Sequence, residues 1–198
     1  MTTPIVRTLT LPPPAWPEVA RYARTVQDDP AARALFTSVW EEAEGAFAPR
    51  AVFCECPLRT EGDRLSIGGI TLTSEMLSRT LAGATRALAV AATVGPMIDR
   101  LILRYSRLSP ARALLLQALG TERIETALDI LCAGLAAEYG CPLTPRKSPG
   151  YGDLPLSLQR DFFALLTPEH RIGLTLTDSL LMTPSKSVTA FIGICDKG

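Results

Sequence analysis

The chain has 198 residues, with 20 lysines and arginines against 20 aspartates and glutamates, so its formal net charge is zero. With 47% hydrophobic and 20% charged residues it has the profile of a soluble globular protein, long enough to bury a core without disulfides or a metal. A neutral chain without a basic tract lacks the footprint of a nucleic-acid binder, and its longest apolar run, 87–98, is too short for a transmembrane helix, so neither nucleic acid nor membrane is expected as a partner.

Residues 1–17 are rich in threonine and proline and predict an extended arm. No continuous apolar stretch precedes Pro12, so the segment makes a poor signal peptide and a cytoplasmic protein is expected. The five cysteines, Cys54, Cys56, Cys132, Cys141 and Cys195, are then expected to stay reduced. No second cysteine pair stands at zinc-site spacing, and no metal site is expected. The remainder, 18–198, is expected to form a single domain.

Helical patterning begins near Glu18 and resumes after Pro30, a good first helical position. Residues 51–58 and 65–73 are β-prone, and Glu61-Gly62-Asp63 is the turn that would join them as a hairpin. Ser74 is an N-cap for a helix from Glu75, with Gly83 at its end. Residues 87–93 read as a buried strand. Gly95-Pro96 opens a helix with Met97, Ile98, Leu101, Ile102 and Tyr105 on one face. Ser109-Pro110 starts the longest helix, which ends at Gly140.

Residues 144–153, TPRKSPGYGD, form a polar, turn-rich stretch. A short helix is expected over 155–166, and 174–177, 180–183 and 187–194 are strand-like. Strands and helices mix without a regular alternation, which predicts an α+β fold. The dinucleotide, P-loop, serine-hydrolase and zinc-protease motifs are all missing. His170 is the one histidine and reads as a surface residue, so no catalytic residue is assigned.

Two stretches remain. In the first, Arg146 offers a planar fork of donors that grips a carboxylate. Gly150 lets a ligand approach the backbone, and Tyr151 offers a ring face and a hydroxyl. This chemistry suits a small zwitterionic ligand; the alternative is a plain surface turn set by Pro149-Gly150. The second stretch, 176–189, is dense in hydroxyls around Pro184-Ser185-Lys186 and reads alternatively as a β-hairpin with a wet face.

Together, R-x-x-P-G-Y-G-D-x-P and then L-T-x-S-x-x-M-x-P-x-x-S-V-x-A resemble the activation domain of cobalamin-dependent methionine synthase, and free-standing proteins related to it. The matching residues are Arg146, Pro149, Gly150, Tyr151 and Pro155, then Leu176, Thr177, Ser179, Met182, Pro184, Ser187 and Val188. Weaker similarity extends back to about Ser74, so the resemblance covers roughly 74–194.

The resemblance implies a single α+β domain with a twisted, mostly antiparallel sheet flanked by helices. It implies binding of S-adenosylmethionine, presented to a corrinoid whose cobalt has slipped to the inactive cob(II) state. A flavodoxin-like or other low-potential donor supplies one electron, and methyl transfer follows. By the same resemblance Arg146 holds the ligand's carboxylate, Pro149 and Gly150 shape the backbone around it, and Tyr151 lies beside the sulfonium and the corrinoid. Glu125 matches a glutamate of the family and meets the ammonium group; a shifted register puts Glu122 there instead. Met182, Thr183, Pro184 and Ser185 lie near the corrinoid.

The chain departs from the family in three places. No counterpart of the family's N-terminal acidic segment is found in 1–30, nor of its Tyr-containing segment before Gly198. After Tyr151 the family's Pro-Ala-Cys-Pro run is replaced by Gly152-Asp153-Leu154-Pro155. His170 and Gly173 fit the end of a corrinoid-module motif, but Pro168 stands where its aspartate belongs, so cobalamin is expected on a partner, a methionine synthase-like methyltransferase. The alternative is a non-catalytic module that docks to a corrinoid protein without methyl transfer.

Overall fold

Residues 3–195 are described by the computed structural model of the chain. Residues 1–2 of the expected arm and 196–198 of the expected domain lie outside them. The first strand, β1 (Ile5–Thr8), falls within the arm. It is extended as predicted, but it also pairs antiparallel with β2 (Arg50–Glu61), Ile5 opposite Phe53 and Thr8 opposite Arg50. Two helices, α1 (Trp16–Ala23) and α2 (Pro30–Ala43), occupy the next two patterned stretches. Asp29 caps α2 by accepting the Ala31 N–H.

β2 turns back into β3 (Arg64–Ile67) through Gly62-Asp63, with Glu61 opposite Arg64, as the hairpin reading expects. The β-prone run 65–73 is not one strand. It folds at Gly68-Gly69 into β3 and β4 (Ile70–Thr73). Ser74 caps α3 (Glu75–Thr80), its hydroxyl accepting the Leu77 N–H at 2.9 Å. After β5 (Arg86–Thr93) come α4 (Met97–Leu108) and α5 (Pro110–Tyr139), the latter closed by Gly140 in the left-handed region. Of the expected apolar face of α4, Ile98 is fully buried but Met97 is 44% exposed.

The helix expected from Pro155 is a 3-10 turn, Leu156–Leu158, that runs into α6 (Gln159–Leu166). A short α7 (Pro168–Ile172) follows and leaves His170 exposed. The last strands are β6 (Thr175–Leu176), β7 (Met182–Thr183) and β8 (Ser187–Ile194). They do not form a hairpin about Pro184. Instead β7 folds back on β6, and β8 pairs with β5. Burial explains the choice: Phe191 and Ile192 of β8 enter opposite cores, so the strand has to be covered on both faces.

The fold is α+β. Its sheet is antiparallel throughout, in the order β4-β3-β2-β5-β8 with β1 alongside the first half of β2. Helices cover both faces. On β5, Leu88, Val90 and Ala92 point to α1, α2, α4 and α5, while Ala87, Ala89 and Ala91 point to α3, α6 and α7. Those small side chains leave room for Phe162 of α6 against Phe191, ring centroids 4.4 Å apart. Cys54 and Cys56 share this second face, as alternation requires, with Sγ atoms 3.6 Å apart. Among the described residues no helix is long and apolar enough to cross a membrane.

Candidate functional site

The segment leaving α5 runs along the outer edge of β8. Thr144 donates its N–H to the Gly193 carbonyl at 3.0 Å, and its Oγ1 accepts the Gly193 N–H at 2.7 Å. Lys147 and Phe191 exchange both backbone bonds, at 3.0 and 2.9 Å. Arg146 lies between these two anchors, so its backbone is fixed and its side chain turns to α5. There Nη1 donates to Asp129 Oδ1 at 2.6 Å and Nη2 to Glu125 Oε2 at 2.9 Å. Asp129 and Glu125 are four residues apart and therefore share one helix face. Burial opposes the Arg146 charge, but the hydrogen bond it donates to Asp129, together with that carboxylate's charge, outweighs burial and raises the guanidinium's pKa. Cys132 Sγ lies 3.9 Å from Nη1, and burial raises the pKa of this thiol.

Beyond Lys147 the chain makes a tight double turn. Gly150 donates its N–H to the Leu154 carbonyl at 2.9 Å, and Leu154 donates back to the Tyr151 carbonyl at 3.1 Å. Gly150 and Gly152 sit at φ of +89° and +59°, the left-handed region that glycine enters without steric cost. A Cβ on Gly152 would also lie 2.6 Å from Met76 Sδ. Asp153 ties the turn to α3: its carboxylate accepts the Ser74 hydroxyl at 2.5 Å and the Met76 N–H at 3.2 Å. The Ser74 hydroxyl holds the Asp153 carboxyl below the ordinary aspartate range, with the Met76 N–H adding to it.

These anchors leave Tyr151 72% exposed between two adjoining cavities. One, of about 550 Å³, is lined by Glu125, Arg146, Tyr151, Gly152, Met76 and Val188 among others. The other, of about 570 Å³, includes Pro149, Tyr151, Leu156, Met182, Thr183 and Ser185. Ser148, Tyr151 and Val188 border both. The rim of the second cavity is apolar: Leu156 and Leu181 are 41% and 63% exposed there.

The far wall is built from the hydroxyl-rich stretch. Thr177 closes the β6–β7 tip, donating its N–H to the Leu181 carbonyl at 2.9 Å and accepting the Leu181 N–H on Oγ1 at 3.0 Å. Ser185 is held by Asp99 in the first turn of α4, through its N–H at 2.7 Å and its hydroxyl at 2.6 Å. The Ser187 hydroxyl donates to the Pro184 carbonyl at 2.7 Å.

The structure thus gathers most of the sequence-selected residues in one cleft. Glu125, Arg146 and Tyr151 line the first cavity; Pro149, Tyr151, Met182, Thr183 and Ser185 line the second. Gly150 shapes the turn behind them, and Pro184 is buried, leaving the rim to its neighbours. Of the two glutamates left open by register, Glu125 faces Arg146, whereas Glu122 is buried against Arg123. Sequence reasoning missed Asp129, Asp99 and Met76. Asp129 was within reach, because it stands one helical turn from Glu125; Asp99 and Met76 belong to the site only through tertiary packing.

Residues 141–197 match the family model for the activation domain of vitamin B12-dependent methionine synthase. No curated protein sequence matches the chain. Among solved structures, the MetH reactivation domain bound to AdoHcy superimposes with a TM-score of 0.65 at 18% identity, over 98% of this chain and 79% of that one. The resemblance seen in the two motifs therefore holds: residues 141–197 match the activation-domain family of vitamin B12-dependent methionine synthase, and the chain has the fold of that reactivation domain.

Proposed function

We propose that this protein binds S-adenosylmethionine in the Arg146 cavity. There it supports reductive methylation of a corrinoid held by a partner, a cobalamin-dependent methionine synthase or a related corrinoid methyltransferase. One juxtaposition carries the reading: Glu125, Arg146 and Tyr151 line one cavity, and Tyr151 borders the next with Met182, Thr183 and Ser185.

In this reading Arg146 takes the amino-acid carboxylate through charge-assisted hydrogen bonds, and Glu125 takes the ammonium group. The exposed Tyr151 ring offers its face to the sulfonium at the boundary of the two cavities. The second cavity, rimmed by Leu156, Leu181 and Met182, suits the edge of a flat, largely apolar macrocycle. Cobalamin, arriving on the partner, supplies the redox and methyl-accepting chemistry; this chain supplies binding, orientation and shielding. A flavodoxin-like or other low-potential donor supplies the electron. The structural neighbour was solved with AdoHcy, which is what S-adenosylmethionine becomes on losing its methyl group. The same proposal takes 18–198 as one working domain behind the arm 1–17, in the cytoplasm.

A second reading, a docking module without methyl transfer, draws on one observation: both Nη atoms of Arg146 already hold carboxylates of α5. Methyl-labelled S-adenosylmethionine incubated with hydroxocobalamin separates the two. On the first reading label reaches the corrinoid only when the protein and a low-potential reductant are both present, and Arg146→Ala abolishes most of it. On the second, no label moves with either protein.

A further inference from the structure

Arg146 meets two acids of α5, and they differ. Glu125 lines the cavity and is 41% exposed at its side chain. Asp129 is 69% exposed and makes the shorter contact, at 2.6 Å. A carboxylate that grips a guanidinium bidentately needs two parallel N–H groups along one edge of the fork. Asp129 holds Nη1 and Glu125 holds Nη2, so a docking carboxylate that meets the terminal edge competes with both acids for the same two nitrogens. Glu125 has an alternative partner in a ligand's ammonium group; Asp129 does not line the cavity.

The Asp129 contact is not needed to hold the loop. Backbone bonds at Thr144 and Lys147 and the Asp153–Ser74 link already fix it. Exposed ion pairs add little to stability in any case. They do exchange readily for an equivalent partner, which for Arg146 is another carboxylate.

We infer that Asp129 is a built-in competitor for Arg146. It occupies the donor that a ligand's carboxylate needs, lowers the site's affinity for amino-acid-bearing nucleosides, and so sets the concentration at which the site fills. This inference rests on the proposed S-adenosylmethionine reading and adds a residue that tunes it. The competition acts on the carboxylate alone, so a nucleoside thioether without the amino-acid portion is indifferent to it.

Calorimetric titration of AdoHcy and of methylthioadenosine into wild type, Asp129→Asn and Asp129→Ala tests this. The expected result is AdoHcy binding tightened about fivefold in both variants, the scale of an exposed ion pair, with methylthioadenosine affinity unchanged. AdoHcy affinity equal to or weaker than wild type overturns the competitor and leaves the S-adenosylmethionine reading standing. Equal tightening of methylthioadenosine overturns it too, because the effect would not pass through the carboxylate. If AdoHcy binds neither wild type nor the variants, the underlying reading fails and the competitor with it.

Discussion

Helix α5 carries two arginine–carboxylate clusters less than two turns apart, and they have opposite characters. In the first, Arg123 pairs with Glu122, donates to the Pro12 carbonyl and faces the Trp40 ring at 5.9 Å, while Thr126 donates to Glu122 at 2.9 Å. Its side chains are 2% and 6% exposed. In the second, Arg146 reaches across from the β8 edge to Glu125 and Asp129, with side-chain exposures of 25%, 41% and 69%. Both pair a guanidinium with carboxylate, and solvent access sets them apart. A buried pair leaves an uncompensated charge when broken and serves to pin the arm. A wet pair is cheap to open and can be traded for a ligand.

The largest expected effect is on the buried side. Arg123→Ala strands Glu122 in the core and should cost about 3–5 kcal/mol of stability by urea denaturation, with ligand affinity of the folded fraction unchanged. Gly152→Val comes next. A β-branched residue at a left-handed φ costs about 1–2 kcal/mol, and its Cβ pushes Met76 into the cavity, so stability and ligand affinity fall together. Glu125→Gln should leave stability within error while weakening binding of an amino-acid nucleoside by about 1 kcal/mol in a titration. If Glu125→Gln instead destabilises the fold as Arg123→Ala does, the contrast between the clusters collapses.

The smallest effect is one of pH. The Asp153 carboxyl is depressed by Ser74 and Met76, so the link it makes is in place above the ordinary aspartate value of about 4 and is lost as pH falls through the depressed value. Wild type should therefore exceed Asp153→Asn in urea midpoint near neutrality, and the two should converge in acid. A gap that persists at low pH would show that the carboxylate charge is not what holds the turn.

Much of the fold could be read from local signals. The Ser74 cap, the Gly62-Asp63 turn, the start at Pro110 and the stop at Gly140 are decided by a few residues each. So is the buried strand expected at 87–93, whose small apolar residues suit a position covered on both faces. What escaped was short or tertiary. β1 and α7 have four and five residues, too few for a period to show. The break at Gly68-Gly69 depends on β4 finding a partner in β3, and β7 turns back on β6 because β8 is claimed by β5. At the site, Arg146 and Tyr151 were legible because their residue types are unusual in a Pro/Gly turn. Asp129 was passed over although it stands one turn from Glu125, because an exposed acid on a helix looks the same whether it faces water or an arginine from a distant segment.

The central claim is that Arg146 stands in a ligand site while Arg123 stands in a structural one. Calorimetric titration of S-adenosylmethionine into wild type, Arg146→Ala and, at a temperature where it remains folded, Arg123→Ala tests it most directly. The account predicts that wild type binds, that Arg146→Ala loses about 2 kcal/mol of binding free energy for a charge-assisted clamp, and that Arg123→Ala binds as wild type does. Binding that survives in Arg146→Ala, or fails in Arg123→Ala while the fold persists, would contradict it.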